Sequence, residues 1–413
     1  MTTNKKNSTM VAGLLFGTSA FGMGMLYMPA TFNQLGYVGM STIMAFMFLL
    51  TYLSLYFINL ADEKEQEIEK SSSKRDYSFF ANFNRHLSLM VTIAFILSNF
   101  AVVYLFLRRA TDLTVALINI KAKMATTTWV RLGVLTFYSI AALSLFMQHD
   151  LTILKPLSYV ALFACFYYAA LMVMLGFTSK IPLSELKPFR YDNGLNALLN
   201  AIFAAHCQFS FLNFKDTLRV KNDRNSKKML LIACLTIYLS YATIGFFGYK
   251  YMGSSIGSDY ILGLVVKNFS ENKLLDNNNL FGRKLFQGLL FVLSTLFIVI
   301  FFTGIPLTVF TFVPEIEKLV KRANVKPNTR IVKLIIGLAL YVFALPSSLN
   351  EGLFLAFVSA FCTNFLSFGF PGIYAVHYST DRRIRGIGYS MIGFSSILAL
   401  LLAGVEIKNA VSK

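Results

Sequence analysis

Gly17-Thr18-Ser19-Ala20-Phe21-Gly22-Met23-Gly24-Met25-Leu26, with Pro29 three residues on, is the stretch that decides how this chain is read. It lies inside an apolar run over residues 10–31. Three glycines and then a proline make a poor continuous helix, because Gly adds backbone entropy and Pro removes a donor and crowds the preceding turn. Small residues also serve close helix packing, but Gly17, Gly22 and Gly24 do not fall on one face at a spacing of four. The stretch therefore predicts a helix interrupted halfway along. An interruption frees backbone groups: the N-terminal end of a half-helix suits a carboxylate, and freed carbonyls suit an ammonium group or a sodium ion. One discontinuity thus meets both ends of a zwitterion.

The surrounding composition says what solvent the run occupies. Hydrophobic residues make up 56% of the 413 and charged ones 14%, against roughly 25% charged in soluble domains. Mean hydropathy is +0.60, and 41 Phe and 20 Tyr stand against one Trp. Lipid is the expected solvent. The net charge of +18 is dispersed in short stretches between apolar runs. That excludes the contiguous basic face that nucleic-acid binding needs and suits anionic headgroups. Cys165, Cys207, Cys234 and Cys362 each fall inside an apolar run, so neither a disulfide nor a zinc cluster is expected. Lys5 and Lys6 precede a run too long for a cleavable signal peptide.

A spanning helix needs about 20 apolar residues with every backbone group satisfied internally. Eleven runs qualify: 10–31, 37–60, 87–108, 131–148, 156–177, 195–213, 229–252, 283–312, 331–349, 352–377 and 387–406. The basic residues orient them. With a cytoplasmic N-terminal tail at 1–9, 23 of the 38 Lys and Arg lie inside, chiefly at 64–85, 215–228, 318–333 and 382–385. An odd number of crossings places the C-terminus outside or in a lumen. The glycosylation pattern Asn268-Phe269-Ser270 falls in a loop this topology puts outside, whereas Asn7-Ser8-Thr9 falls inside. Residues 61–85, rich in Glu and Lys, read as a solvated linker. Arg108 and Arg109 read as snorkelling at a helix end, and Glu351, His377 and Glu406 as interfacial.

The sixth run holds the second candidate. Phe203-Ala204-Ala205-His206-Cys207-Gln208-Phe209-Ser210-Phe211-Leu212-Asn213 gathers His206, Gln208, Ser210 and Asn213 in apolar surroundings. Such residues are costly in lipid and often functional, although a polar helix packed on its neighbours would read the same way. Runs one and six begin two five-run halves, 10–177 and 195–377, with 387–406 appended. An inverted-repeat transporter would place its broken helices there.

On these residues the sequence resembles the amino acid/auxin permease family of the amino acid–polyamine–organocation superfamily. Gly22-Met23-Gly24-Met25-Leu26-Tyr27-Met28-Pro29, then Gln34-Leu35-Gly36-Tyr37, is similar to that family's first-helix pattern. Asp150-Leu151, Leu154 and Leu157-Ser158-Tyr159 resemble its fourth-to-fifth junction; Phe203–Phe214 with Tyr241, Gly245 and Gly248-Tyr249 its sixth and seventh helices; Thr303–Pro306, Pro314-Glu315 and Phe370-Pro371 its eighth and tenth. Tyr27-Met28 before Pro29, a sixth-helix break without glycine, and the missing extracellular cysteines of some relatives are departures that touch substrate and subfamily.

The resemblance implies an all-α transmembrane, leucine-transporter-like fold of eleven helices. It comprises a five-plus-five inverted repeat with helices 1 and 6 broken, plus one helix. It implies an alternating-access amino acid carrier whose substrate contacts are Thr18, Ser19, Ala20, Phe21, Gly22 and Gly24, joined by His206, Gln208 and Ser210. His206 is the only histidine deep in an apolar run and titrates near neutrality when unperturbed, so it could carry a coupling proton. Thr303, with Ser294 and Thr295, could by family analogy complete a sodium site, although such hydroxyls usually bond their own backbone. Proton coupling is the expectation and sodium coupling the alternative. No cofactor, metal or obligate protein partner is expected, and the membrane is plasma or vacuolar/lysosomal in type.

Other classes fit less well. A non-transporting amino acid sensor of this fold would be expected to carry a sizeable cytoplasmic tail, and only about nine residues precede the first run. A membrane enzyme needs clustered carboxylates and histidines, yet His86, His149, His206 and His377 are scattered. No repeated selectivity motif suggests a channel, and no Gly-Lys-Ser/Thr phosphate loop suggests an ATP-driven pump.

Overall fold

A computed structural model describes residues 7–18, 20–69, 80–122, 128–147, 157–191, 194–253, 256, 280–345 and 351–411. Among these residues the secondary structure is helical, apart from one isolated bridge pairing Asn7 with Leu218. In chain order the α-helices are α1 (Thr9–Thr18), α2 (Met23–Leu35), α3 (Tyr37–Glu69), α4 (Arg85–Ala122), α5 (Thr128–Met147), α6 (Leu157–Thr178) and α7 (Gly194–Ala204). They continue as α8 (Phe211–Asp216), α9 (Asp223–Met252), α10 (Leu280–Arg322), α11 (Thr329–Ala344), α12 (Glu351–Val358), α13 (Phe370–Tyr378) and α14 (Arg382–Val411).

Lipid solvation is visible in where the apolar side chains point. Trp129, Phe137 and Ile140 on α5 are 77%, 67% and 63% exposed. On α11, Ile331, Leu334, Ile335 and Leu338 face outward while Val332, Ile336 and Leu340 face the core. A helix apolar on all sides belongs in lipid. The core is a continuous cluster built largely from α1–α4, α9, α10 and α13. The four cysteines are buried and free within it.

Nine helices among the described residues are long and apolar enough to cross a membrane, against the eleven runs read from the sequence. The difference lies at two runs. The first, 10–31, is divided into α1 and α2, of 10 and 13 residues, each too short alone. The ninth, 331–349, has 16 helical residues in α11.

Two further expectations need correction. Residues 61–69 are not a solvated linker but the end of α3, which at 33 residues is about 50 Å long and overshoots the ~30 Å hydrocarbon layer. Its Asp62 is only 5% exposed and pairs with Lys215 at 2.8 Å. Arg108 and Arg109 do not end a helix, because α4 runs on to Ala122. Arg108 donates to Tyr104 Oη at 2.7 Å, and Arg109 donates to Tyr27 Oη at 2.9 Å and lies 3.7 Å from Asp112. Those partners let the helix carry charge through a buried stretch. The tenth run is one span, with two π-turns, Ser359–Thr363 and Phe365–Gly369, between α12 and α13. His377 stacks on Phe83 at 3.7 Å. The side chains of Glu351 and Glu406, the loop serines 71–73 and Asn268 lie outside what is described.

The segments assigned to one side from their basic residues do gather on one face. Asn7 N–H donates to Thr217 O at 2.8 Å, and Arg219 N–H donates to Asn7 O at 3.0 Å. Tyr378 Oη donates to Glu65 at 2.6 Å, and Arg322 donates to Ser88 at 2.8 Å. The opposite face is closed by the 187–190 segment: Val38 N–H donates to Pro188 O at 3.0 Å, and Arg190 donates to Asn33 Oδ1 at 2.7 Å. Gly36 turns there with φ 78°, and a Cβ would sit 2.5 Å from Pro188 O, so only glycine fits.

The buried Asp62–Lys215 pair joins α3 to α8, and Gln66 also donates to Asp62 at 2.8 Å. Removing one member of such a pair costs about 3–5 kcal/mol, because the other charge stays buried, whereas an apolar pair of similar volume is nearly neutral. Asp62→Ala is expected to lower the thermal midpoint of the detergent-solubilised protein clearly, and Asp62→Leu with Lys215→Met to recover most of the loss.

Candidate functional site

The first interruption is built by tight turns and by space. Thr18 at the end of α1 turns its hydroxyl back onto Leu15 O at 2.6 Å. Ala20 N–H donates to Gly17 O at 3.2 Å and Phe21 N–H to Thr18 O at 3.0 Å, so the chain leaves the α-helical ladder there. Gly22 is extended (φ 179°) before α2 begins. Any residue adopts that dihedral, so its glycine answers to proximity: a Cβ would lie 3.1 Å from the Phe106 ring. Gly24 is tighter still, since a Cβ would lie 2.3 Å from Ala204 Cβ, the last residue of α7. Gly24 thus brings the two broken helices into backbone contact.

The second interruption has no glycine and is carried by polar side chains. After Ala204, the chain passes through Ala205–Cys207 into a 3-10 turn at Gln208–Ser210 and then α8. Gln208 Oε1 accepts from Cys207 N–H at 3.0 Å, substituting for a helical carbonyl. Tyr241 on α9 joins the two breaks. Its hydroxyl lies 2.5 Å from Ala20 O and 2.9 Å from Ala204 O, offering its proton to a carbonyl of each interruption.

The four ends of these half-helices border one cavity of about 320 Å³. Thr18 comes from the end of α1, Gly22 and Gly24 from the start of α2, Ala204 from the end of α7, and Ser210 from the turn leading into α8. The start of α2 supplies the positive end of a helix dipole, and the ends of α1 and α7 supply carbonyls. Phe106, Ile300, Thr303 and Gly304 close the wall across from them. The lining continues through Asn213, Thr308 and Thr311 toward the face that carries Asn7 and residues 215–223. On the other side Gly24 and Ala204 border it, with Tyr241 bonded behind them to Ala204 O.

Of the residues singled out from the sequence, Thr18, Ala20, Phe21, Gly22, Gly24, His206, Ser210 and Thr303 line the cavity. Ser19 lies outside the described residues. Gln208 does not line it. Its side chain is buried behind the break, 3.4 Å from Ser367 Oγ. His206 Nδ1 is 2.9 Å from the same Ser367 Oγ, and Ser54 Oγ donates to Ser367 O. His206 Nε2 and Gln208 Nε2 are buried without a hydrogen-bond partner. The expected oxygen set on the eighth helix does not come together. Thr303, Ser294 and Thr295 each donate to their own backbone at 2.7–2.9 Å, Thr295 is exposed, and only Thr303 reaches the cavity.

Sequence reasoning did not assign a role to Phe106, Tyr241 or Ser367. Phe106 is one of 41 phenylalanines in the chain and carries no local mark. Ser367 sits in a π-turn, whose extra residue turns its hydroxyl to a direction that α-helical spacing does not give. Among the described residues no group of three or more His, Cys, Asp or Glu is arranged to hold a metal ion.

Comparison with known proteins fits this geometry. The chain is similar to solved transporter structures at low sequence identity. The manganese transporter of Eremococcus coleocola, bound to an aromatic bis-isothiourea substituted compound, superposes with a TM-score of 0.58 at 13% identity, covering 95% of this chain and 85% of that one. MhsT in complex with L-phenylalanine gives 0.57 at 12% identity, covering 95% and 96%. At this identity the likeness concerns the fold, which is leucine-transporter-like. No individual curated protein sequence matches. The match that spans the sequence, over residues 5–382, is to the family described as transmembrane amino acid transporter protein, and the chain belongs to that family.

Proposed function

We propose that this protein is a secondary active transporter that moves amino acids by alternating access and draws on a proton gradient. The observation that carries the reading is the meeting of four half-helix ends around one amino-acid-sized cavity. The start of α2 receives the carboxylate, the carbonyl ends of α1 and α7 receive the ammonium group, and the wall around Phe106 receives the side chain. An ordered set of peptide dipoles costs no reorganisation when the solute arrives. On this reading 10–177 and 195–377 are halves of inverted topology, each opening with an interrupted helix, and 387–406 is appended.

Alternating access needs two bodies that move against each other. α1 and α8 are joined at one face through Asn7, Thr217 and Arg219, and inside through the Phe16 ring, which packs 6.0 Å from Phe211 and 5.6 Å from Phe214. They would move as a unit and open or close the path past Asn213. We place that face in the cytoplasm and the C-terminus outside or in the lumen of a vacuolar or lysosomal compartment. His206 is the coupling group. Its Nε2 lacks a partner beside the cavity, and Ser367 holds the ring's other nitrogen. Sodium coupling is the second reading, through Thr303 at the wall.

Uptake of radiolabelled amino acids into proteoliposomes, at an imposed pH gradient with and without sodium, tests the coupling. Uptake driven by external acid without sodium is expected. An absolute sodium requirement overturns proton coupling, and binding without flux under either gradient identifies a sensor. His206→Ala is expected to abolish stimulation by the pH gradient while leaving exchange of internal for external substrate. Tyr241→Phe removes the donor shared by two buried carbonyls, a loss of about 1–3 kcal/mol. It should weaken substrate affinity roughly 5- to 150-fold with normal membrane expression; unchanged affinity would show that the bridge does not set the site.

A further inference from the structure

We infer that the cavity selects neutral amino acids with large apolar side chains, and that Phe106 sets the size it accepts. This rests on the transport reading above and names the substrate class for that site. Charge comes first. Among the described residues, no Asp, Glu, Lys or Arg lines the cavity, and His206 is its one titratable side chain. The helix ends answer the two backbone charges of an amino acid, but a positive solute side chain would meet no opposite charge, and a negative one only His206 while that ring carries the coupling proton. An unpaired charge taken out of water is disfavoured strongly enough to amount to rejection.

The apolar wall gives the second half of the selection. Phe21, Val102, Phe106, Phe203, Phe209 and Ile300 surround the space left beside the helix ends. A volume of about 320 Å³ is at the lower end of the ~300–1,000 Å³ range of ligand sites, so one amino acid fills it. Burial of a large apolar side chain against these walls favours it over a small one by about 10- to 150-fold.

Phe106 is held where it stands. On one edge its Cε1 and Cζ are 3.1 Å from where a Cβ on Gly22 would be. On the other, Cε2 is 2.6 Å and Cδ2 2.9 Å from where a Cβ on Gly304 would be. Phe301 stacks on its face at 5.5 Å, with 24° between the rings. The ring is slotted between two glycines from opposite walls and braced by a third residue, so it cannot swing aside for a larger solute. A fixed wall discriminates by volume, where one methylene is worth about 10- to 200-fold. A methyl group at Gly304 would press the ring toward Gly22 and shrink the cavity; truncation of Phe106 would enlarge it.

The test is a competition panel against uptake of radiolabelled leucine in proteoliposomes holding the full-length protein. Isoleucine, methionine and phenylalanine are expected to compete, and lysine, arginine, aspartate and glutamate not to compete at hundredfold excess. Phe106→Ala is expected to raise the competition of tryptophan relative to alanine at least tenfold, and Gly304→Ala to shift that ratio the other way. Phe106→Leu, which keeps most of the packing, gives the same direction if the alanine variant does not reach the membrane. Competition by charged amino acids as strong as by leucine overturns the inference and leaves the transport reading standing. So does an unchanged tryptophan-to-alanine ratio in active Phe106 variants. Absence of uptake of every amino acid in the wild-type protein overturns the transport reading, and the inference falls with it.

Discussion

Bare peptide groups cannot remain inside a bilayer, and that constraint shapes the whole centre of this molecule. Two helices give up their regular ladder in mid-course, and each liberated group needs a partner. Tyr241 supplies one by reaching Ala20 O and Ala204 O with a single hydroxyl. Gln208 supplies another by folding its amide onto Cys207 N–H. The remaining ends face a cavity, where water or a zwitterion can complete them. The polar centre is therefore tolerated only because large apolar residues wall it in and because Gly24 lets α2 and α7 touch.

The outer architecture serves that centre. α3, α4 and α10 are long enough to extend past the hydrocarbon layer, and their charged ends are tied across one face by Asp62–Lys215, Arg322–Ser88 and Glu65–Tyr378. The short α1 and α8 hang on the same face from the backbone pairing of Asn7 with the 217–219 segment. At the other face, Pro188 and Arg190 clamp the turn at Gly36 and the end of α2. One side of the cavity is thus bounded by short pieces and the other by long-range clamps. On the alternating-access reading proposed above, the short-helix side is the one that would open.

How much of this was legible in the residues depends on which force set each feature. The break at 20–22 was legible from the glycines around it, Gly17 before and Gly22 at the start of α2, whereas Gly24 and Pro29, read as helix breakers, lie inside α2. The break at 205–210 was, because His206, Gln208 and Ser210 are costly in lipid unless something needs them. The common face of the basic segments was legible from Lys and Arg alone. The continuation of α4 past Arg108 and Arg109 was not, since it depends on Tyr104, Tyr27 and Asp112, whose proximity only the tertiary structure creates. The helical tail of α3 was hidden in the same way by a partner, Lys215, 153 residues on. Phe106 and Ser367 were silent because one is an ordinary apolar residue and the other owes its direction to a π-turn.

Cysteine accessibility along residues 15–25 and 203–213 measures the central claim most directly, with one cysteine at a time in a background whose four buried native cysteines are replaced. Two compact windows of reaction with a water-soluble maleimide are expected, near 18–22 and 206–210, both protected by the transported amino acid. Reactivity repeating every three to four residues along either stretch, unaffected by substrate, would describe uninterrupted helices and contradict the site proposed between them.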